Sequence, residues 1–306
     1  MIVPGRDIAA FAPAAIDSLR AQTEPRWRAI LVDDGSTDAT DDVFRAAAAD
    51  DPRFRLLRRD EAQGLGAARN AGLELVDTPL LGFLDADDEL TPTALARLTG
   101  TLAESGSDFV AGAYVRTRAQ GDSYVAGRVQ PWVAAATDPQ RLGTTILGHP
   151  AASANIVAWS KISRTDFWGD LRFPEGVAYE DQVVAQLMYT RATAFDVIPD
   201  VVAHWRVRAD GTSITQGKAR LPVLLDYLAA LRGGIRVLQD AGAHDAVAAR
   251  LSLIVAMDLP PLHEIARTHR DPAYAAAVSE FVTEIEALPE FAHASPDHSL
   301  TAALSW

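Results

Sequence analysis

The segment RAILVDDGSTD, residues 28–38, runs from an apolar stretch typical of a β-strand directly into an acidic turn. Its last residues, STD at 36–38, can cap a following helix, and Asp41 and Asp42 would lie in or near the first turn, where negative charge is favourable. Similar apolar runs alternate with helical patterns on both sides, as far as LLGFL at residues 80–84. This alternation is typical of βαβ units, so we expect an α/β fold with a largely parallel sheet.

The composition excludes several classes of protein. With 28 Lys+Arg against 41 Asp+Glu, the formal net charge of −13 disfavours general nucleic-acid binding and broad adhesion to anionic membranes. The chain has no cysteine, which excludes disulfides and thiolate metal sites. The N-terminal residues do not resemble a leader, and we find no window of about 18 uninterrupted apolar residues. We expect a cytoplasmic protein that is not transmembrane, with peripheral contact at the inner face of the membrane left open.

The second part of the chain changes from mixed structure to helix. Residues 108–208 combine strand and loop patterns with a helix predicted around Gln182–Tyr189. We therefore expect an α/β domain over residues 1–215 and a helical region over residues 216–306. The helical region keeps apolar residues at helical spacing: Leu224, Leu228, Leu231, Ile235 and Leu238.

The sequence LDADD, residues 84–88, gathers carboxylates at the end of an apolar run. Their mutual repulsion is hard to justify without a cation, and oxygen ligands at this density suit Mg²⁺ or Mn²⁺. A helix-capping acidic turn before Thr91-Pro92 is the alternative. The presence of VDDGSTD in the same chain favours the metal site.

Asp33 and Asp34 follow a predicted strand, and open α/β sheets bind ligands at such strand ends. A carboxylate there can accept the N3–H of uracil, which selects the base. The alternative is a strand-to-helix turn with capping acids.

A second acidic pair, Glu180-Asp181, opens the predicted helix around residue 182. A carboxylate held at a helix start can point into a cleft and accept a proton from a sugar hydroxyl, as a general base. Acids are also ordinary at helix N-termini, and the local sequence alone favours that structural role.

The segment HWRVR, residues 204–208, alternates as a strand does, so His204, Arg206 and Arg208 would share one face. Two guanidiniums on one face can bind a diphosphate, although a solvated basic strand fits the pattern equally well. The segment GLGAAR begins like a dinucleotide fingerprint, but Arg69 replaces its last glycine, so nicotinamide binding is not indicated.

Taken in order, these motifs resemble family 2 glycosyltransferases with the GT-A fold. The resemblance covers residues 1–215. It rests on SLRAQT at 18–23, VDDGSTD at 32–38, GLGAARNAGL at 64–73, FLDADDEL at 83–90, Glu180-Asp181 and HWRVRADGTSIT at 204–215.

The resemblance implies a Rossmann-like, mostly parallel mixed sheet flanked by helices, with the donor bound by the first half of residues 1–215 and the acceptor by the second. Asp181 would be the general base, beside Glu180. The metal ligands would be Asp87, Asp85 and His204, and the ion would be Mn²⁺ or Mg²⁺. Contacts to the nucleotide sugar fall to Pro4, Arg6, Asp33, Asp34, Arg69, Asp85, Arg206 and Arg208.

The chain departs from the family pattern after the first strand, where Arg6-Asp7 replaces the usual aromatic pair. Arg6 can stack on uracil through its planar guanidinium. The late Arg-rich strand and the helical region are similar to enzymes that build teichoic acids and capsules. The helical region would pack on the catalytic domain, form a homo-oligomer or guide a polymeric acceptor.

The implied function is inverting transfer of a sugar from a UDP-sugar, or another nucleotide sugar, to a hydroxyl of a cell-envelope polysaccharide or a polyol-phosphate polymer of the teichoic-acid type. A catalytically degenerate, nucleotide-sugar-binding module of a larger polymer-synthesising protein is the main alternative. A nucleotidyltransferase would need a Gly-rich loop after the first strand, and the segment GRDI at residues 5–8 is too sparse for one.

Overall fold

The first part of the chain forms the predicted βαβ units. The computed structural model describes residues 1–121, 123–208 and 217–294. The elements are β1 (Ile2–Gly5), α1 (Ala12–Arg20), β2 (Ala29–Asp34), α2 (Thr40–Asp50) and β3 (Phe54–Arg59). Strand β2 lies between β1 and β3 and pairs parallel with both.

A second, mixed sheet continues from the first. A parallel bridge between Ile2 and Phe83 joins the two sheets. The bounds are α3 (Leu65–Leu73), β4 (Leu80–Gly82), β5 (Glu89–Leu90), α4 (Ala94–Ser105), β6 (Phe109–Gln120), β7 (Ser123–Val129), α5 (Pro131–Thr137), β8 (Arg141–Thr144), β9 (Lys161–Arg164), α6 (Thr165–Trp168), α7 (Asp181–Arg191) and β10 (Phe195–Val207). The strand order is β4-β9-β6-β10-β5, with β7 beside β6 and β8 beside β10. Strands β6 and β10 are parallel, and the other pairs are antiparallel.

Alternate residues of the buried strands enter two core layers. Ile30 and Val32 belong to the layer that contains residues of α3 and α7, whereas Leu31 belongs to the layer that contains residues of α1 and α4. Because helices cover both faces, the strand reads as a continuous apolar run rather than an alternating one. The α/β fold predicted from the sequence is confirmed.

The helical region shares the core of the sheet. It contains α8 (Leu221–Asp240), α9 (His244–Leu253), α10 (Leu259–Thr268), α11 (Pro272–Glu286) and α12 (Phe291–Ala294). A π-helical segment at Ile254–Asp258 joins α9 to α10. The predicted apolar face is buried in the same cluster as Phe109 and Tyr189. The predicted division between residues 215 and 216 lies outside the described residues.

Two predicted helix starts differ slightly from the structure. Helix α4 begins at Ala94 rather than at Thr91-Pro92, because Thr91 still pairs with β10 through its N–H to the carbonyl of Val202, at 2.9 Å. Helix α2 begins at Thr40, whose N–H is accepted by Asp38 Oδ1 at 2.9 Å. Its first turn carries the expected acids.

One continuous helical stretch, His244–Thr268, is long and apolar enough by length and composition to cross a membrane, with a mean hydropathy of 1.2 over its best window. Core helices of soluble proteins pass the same test. Leu251, Ile254 and Leu262 of this stretch are buried in the core cluster, and 39% of the window is buried, so one face of the stretch packs on the core.

Candidate active site

A cavity of about 710 Å³ lies at the carboxyl ends of β1, β2 and β10. Open α/β sheets bind ligands in this position. The cavity also reaches the start of α7 and the helical region. The predicted site residues that line it are Pro4, Arg6, Asp34, Arg69, Asp85, Asp87, Glu180, Asp181 and Arg208.

Three carboxylates meet in the loop between β4 and β5. Asp85, Asp87 and Asp88 each offer an oxygen, and these atoms lie within 4.8 Å of one another. The loop is held against β1, because Ala86 donates its N–H to the carbonyl of Pro4 at 3.1 Å. Such an all-oxygen set fits Mg²⁺ or Mn²⁺.

The electrostatics of this cluster also fit a cation. Burial, with a contribution from Asp87, raises the pKa of Asp85 to about 6, although Arg69 acts in the opposite direction. Burial and the charges of Asp87 and Asp85 raise the pKa of Asp88 well above its ordinary value. A divalent ion would offset the cost of burying these carboxylates and relieve the repulsion between them.

His204 does not belong to the carboxylate cluster, contrary to its predicted place among the metal ligands, and Asp88 is the third member. The reason is the alternation of side chains along β10: Trp205 and Val207 line the cavity, whereas His204 and Arg206 do not. Arg208 lies beyond the last residue of β10, Val207, so this alternation does not apply to it. His204 pairs with Glu89 in the β5–β10 ladder.

Arg206 lies behind the acidic loop and is 5% exposed. Its backbone N–H donates to Asp88 Oδ1 at 2.8 Å, and its Nη2 donates to the carbonyl of Phe11 at 2.8 Å. It therefore supports the cluster from outside the cavity, and the predicted direct contact to the diphosphate does not follow from this position. Arg208 does line the cavity and pairs with Asp87 at 2.7 Å.

Arg69 is the buried link between the two acidic motifs. It is 1% exposed, donates to Asp85 at 2.6 Å and forms a buried ion pair with Glu180. Its guanidinium also lies 5.1 Å from the ring centre of Phe173 and 5.9 Å from that of Phe83. Although burial acts to lower it, the pKa of Arg69 is raised by the charges of the surrounding carboxylates. The structure thus gives Arg69 a connecting role in addition to its place in the lining.

Asp181 is the first residue of α7 and lines the cavity. Burial, followed by the charge of Glu180, raises the pKa of Asp181 to about 7. A carboxylate with a pKa near neutrality is suited to accept and release a proton. Glu180, by contrast, is 4% exposed and engaged by Arg69.

The backbone before this pair is unusual. Tyr179 has φ of 62°, a left-handed conformation that is rare for an aromatic residue. The N–H of Ala178 is tied to Asp226 Oδ2 of α8 at 3.0 Å. The helical region therefore helps to hold the loop that presents Asp181.

Of the two aspartates left open by the sequence, only Asp34 lines the cavity. It accepts from Arg59 at 2.9 Å and from the N–H of Gly64 at 2.8 Å. Asp33 is fully buried, and its Oδ1 accepts the N–H of Ser36 at 3.1 Å. Asp33 is thus a turn residue, and Asp34 is the better placed to meet a base.

Part of the lining escaped sequence reasoning. The aromatic wall has no motif, since its members come from separate elements. The contributions of the helical region depend on long-range packing, and the weak signal available was the amphipathic face of α8. These additional residues are Tyr114, Trp132, Trp159, Trp205, Lys218, Tyr227, Arg250, Met257 and Asp258.

The chain has the GT-A fold predicted from the sequence. Structural similarity extends to S. aureus TarS 1–349 in complex with UDP-GlcNAc, with a TM-score of 0.75, 19% identity, and coverage of 92% of this chain and 80% of that chain. At this identity the likeness concerns the fold alone. The family model for Glycosyl transferase family 2 matches residues 2–154, which is half of the 306-residue chain, and the chain belongs to that family.

Other relatives are similar over parts of their length. The succinoglycan biosynthesis protein ExoU of Rhizobium meliloti is 36% identical over 111 residues, which are 36% of this chain and 31% of ExoU. Glycosyltransferase GlyG of Streptococcus pneumoniae is 23% identical over 71% of this chain and 73% of its own length. The mannosyltransferase PcManGT of Pyrobaculum calidifontis, in complex with GDP-Man and Mn²⁺, has a TM-score of 0.58 at 17% identity, over 99% of this chain and 83% of that chain. The match to ExoU thus spans less than a third of that protein.

Proposed function

We propose that this chain transfers a sugar, with inversion, from a nucleotide sugar to a hydroxyl of a cell-envelope polymer, and that the donor is a UDP-sugar. The observation that carries the proposal is that Asp181 and the carboxylates of Asp85, Asp87 and Asp88 line one cavity. The names of the relatives point to the same class of product, since ExoU is a succinoglycan biosynthesis protein. The solved TarS 1–349 complex contains UDP-GlcNAc, which supports the choice of donor.

The donor would lie along the β1 and β2 ends of the cavity. Asp34 is available there for the base, and Arg6, whose side chain is 53% exposed, can lie flat against it. Asp85, Asp87 and Asp88 would hold Mn²⁺ or Mg²⁺, which when bound neutralises charge on the diphosphate. Arg208 can add a cation to the same leaving group.

The acceptor hydroxyl would approach from the side of α7. Asp181 accepts its proton, and the hydroxyl oxygen forms a bond to the anomeric carbon while the bond from that carbon to the diphosphate oxygen breaks. The electron pair leaves with the nucleoside diphosphate, and the attack from the opposite side of the sugar inverts the anomeric centre. The Arg69–Glu180 ion pair fixes the start of α7 and so orients Asp181.

The proposal keeps the cytoplasmic location expected from the sequence. The chain is acidic, and the candidate span found among the described residues, His244–Thr268, contributes Leu251, Ile254 and Leu262 to the core cluster. Contact with the inner face of the membrane and self-association through the helical region stay predictions.

Calorimetric titration of UDP with and without Mn²⁺ tests the donor site. We expect UDP to bind only with the metal and to lose most of its affinity in Asp87→Ala. The control is Asp60→Ala, because Asp60 is exposed and outside the cavity lining. Absence of UDP binding in the wild type under both conditions would contradict the proposed donor.

Turnover is tested separately with radiolabelled UDP-sugars, by following hydrolysis and transfer to envelope polymer fractions. We expect UDP release from at least one donor and its loss in Asp181→Asn. Tight UDP binding without turnover of any donor or acceptor would instead favour the degenerate binding module.

A further inference from the structure

Two cations on the acceptor side of the cavity, Arg116 and Lys218, differ from Arg69 and Arg208 in their contacts with carboxylates. Arg69 and Arg208 are each paired with carboxylates of the acidic motifs. Arg116 and Lys218 line the same cavity, yet within residues 1–121, 123–208 and 217–294 neither side chain makes a hydrogen bond or an ion pair within 4.0 Å. Within the part of the chain that the structure describes, Arg69 and Arg208 are thus neutralised by direct ion pairs, whereas Arg116 and Lys218 have no carboxylate within ion-pair distance.

The guanidinium of Arg116 lies over two indole rings. Its carbon lies 4.5 Å from the ring centre of Trp205 and 5.6 Å from that of Trp132. Contact with ring faces uses none of the five N–H donors of the guanidinium. Burial lowers the pKa of Arg116, so this cation is already partly desolvated.

The ammonium of Lys218 lies over two tyrosine rings. It lies 4.0 Å from the ring centre of Tyr227 on α8 and 5.8 Å from that of Tyr179. Burial lowers the pKa of Lys218, and the charge of Arg116 contributes in the same direction. The two cations thus act on each other unfavourably, a cost that an anion placed near both would remove.

The carboxylate of Asp258 acts in the opposite direction, toward a higher pKa of Lys218, but burial outweighs it. Asp258 comes from the π-helical segment, and burial together with the charge of Asp258 raises the pKa of Tyr227. Asp258 forms no ion pair within 4.0 Å with Lys218 or Arg116. Among the described residues, one carboxylate set against these two cations leaves net positive charge at this end of the cavity.

We propose that Arg116 and Lys218 form a subsite for an anionic group of the acceptor, a phosphate or a carboxylate, with the Trp132 and Trp205 rings packing against the adjoining carbon chain or sugar. The proposal rests on the glycosyltransferase function proposed above and specifies its acceptor as an anionic polymer. The guanidinium supplies a fork that matches two oxyanion oxygens, while the ammonium supplies a point charge. Because Lys218 and Tyr227 sit in or next to the helical region, that region completes the acceptor site.

The test uses the full chain saturated with UDP and Mn²⁺, so that the donor-side cations and the metal are occupied. Binding of glycerol 1-phosphate, glucuronate and glucose is then measured by ligand-observed NMR. We expect at least one of the two anions to bind about tenfold more tightly than glucose, the size of one charge-assisted hydrogen bond. Preference for glycerol 1-phosphate indicates a phosphodiester polymer, and preference for glucuronate a uronic-acid polymer.

The variants Arg116→Gln and Lys218→Gln should each weaken binding of the preferred anion about tenfold and leave UDP binding unchanged. The matched controls are Arg128→Gln, on the strand paired with β6, and Arg220→Gln, two residues from Lys218; both arginines are exposed and outside the lining. Arg116→Lys keeps the charge but not the forked pair of N–H donors, so its affinity for the preferred anion should lie between those of the wild type and Arg116→Gln.

Equal binding of anions and glucose by the wild type would overturn the proposal, as would an unchanged anion affinity in both Gln variants. If UDP binds, the donor site is intact, and either of those results then contradicts the anion subsite alone. Failure of UDP to bind the wild type would instead contradict the proposed function. The independent Lys218→Gln variant decides the matter if Arg116→Gln does not fold.

Discussion

Arg208 donates from Nε to Oδ2 of Asp87 at 2.9 Å, and its Nη2 lies 2.7 Å from the same oxygen as an ion pair. The same carboxylate belongs to the cluster that can hold a divalent ion. Arg208 would therefore compete with a metal ion for this carboxylate, and the diphosphate of a bound donor would offer it another anion.

We expect Arg208→Gln to change metal and nucleotide binding in opposite directions. Mn²⁺ affinity without UDP should rise about fivefold, because a positive charge beside Asp87 is removed. UDP affinity at saturating Mn²⁺ should fall about tenfold, because a charge-assisted contact to phosphate is lost. Calorimetry of each ligand measures the two effects, and a change of both affinities in the same direction would refute the competition.

Removal of Arg69 should destabilise the fold strongly. Arg69→Met leaves the buried carboxylate of Glu180 without its partner and weakens the hold on Asp85. Breaking a buried pair in this way costs about 3 kcal/mol of unfolding free energy. Urea unfolding measures the loss.

The control for Arg69 is Arg172→Met, because Arg172 pairs with Glu74 at the surface, where the side chains are 44% and 66% exposed. An exposed pair of this kind contributes little. Equal losses of stability in the two variants would show that the buried pair contributes no more to the free energy of unfolding than the exposed pair.

Two helical glycines provide a matched test of packing. A Cβ on Gly66 of α3 would lie 2.1 Å from the carbonyl oxygen of Pro174, in the chain that leads to Asp181. A Cβ on Gly100 of α4 would meet nothing within 4 Å. Gly66→Ala should therefore destabilise the protein and lower turnover, whereas Gly100→Ala should stabilise it by up to about 1 kcal/mol through helix propensity.

Thermal unfolding and kcat measure both glycine variants. If Gly66→Ala matched the wild type in stability and turnover, the close approach of α3 to the loop before α7 would not constrain the site.

The carboxylate cluster was predictable because its members are contiguous. LDADD follows an apolar run, and strand ends are where α/β sheets bind ligands, so the loop and the chemistry could be inferred together. The face of β10 that meets the cavity was not predictable from the sequence. Alternation shows that His204 and Arg206 share a face, but not whether that face or the one with Trp205 meets the cavity.

Contacts distant in sequence also escaped prediction. The partners Arg69 and Glu180 are 111 residues apart, and each appears locally as an ordinary helix residue. The amphipathic pattern of α8 indicated a buried face, but not that Tyr227 would turn toward the cavity. Such positions are fixed by tertiary packing rather than by local propensity.

The rate of the transfer step should depend on the ionisation of Asp181. Burial raises the pKa of Asp181 to about 7, and only the deprotonated carboxylate can accept a proton. We therefore expect kcat to rise as the pH increases through about 7 and then to level off. Asp181→Asn should lower kcat by about 10²-fold or more while UDP binding persists. A flat profile between pH 5 and 9, roughly two units on either side of that pKa, would contradict the assignment of the base.

Lys161 should set where this pH transition falls. It is 4% exposed, donates to the carbonyls of Asn155 and Val157, each at 2.7 Å, and lines a small cavity together with Asp181. Burial lowers the pKa of Lys161 to about 7, while its charge acts to lower the pKa of Asp181. Lys161→Met removes a positive charge that favours the carboxylate, so the half-maximal pH of kcat should move upward, by about one unit at most.

The matched control is Met188→Leu, because Met188 lines the same small cavity without carrying charge. Its volume-conserving change should leave the half-maximal pH in place. Loss of the two carbonyl contacts should also lower the stability of Lys161→Met, so a reduced kcat alone does not identify the electrostatic effect. An upward shift confined to Lys161→Met does so, because lost packing lowers the rate at every pH without moving the transition. An unmoved profile in that variant would mean that the lysine acts only through the backbone of residues 155–157.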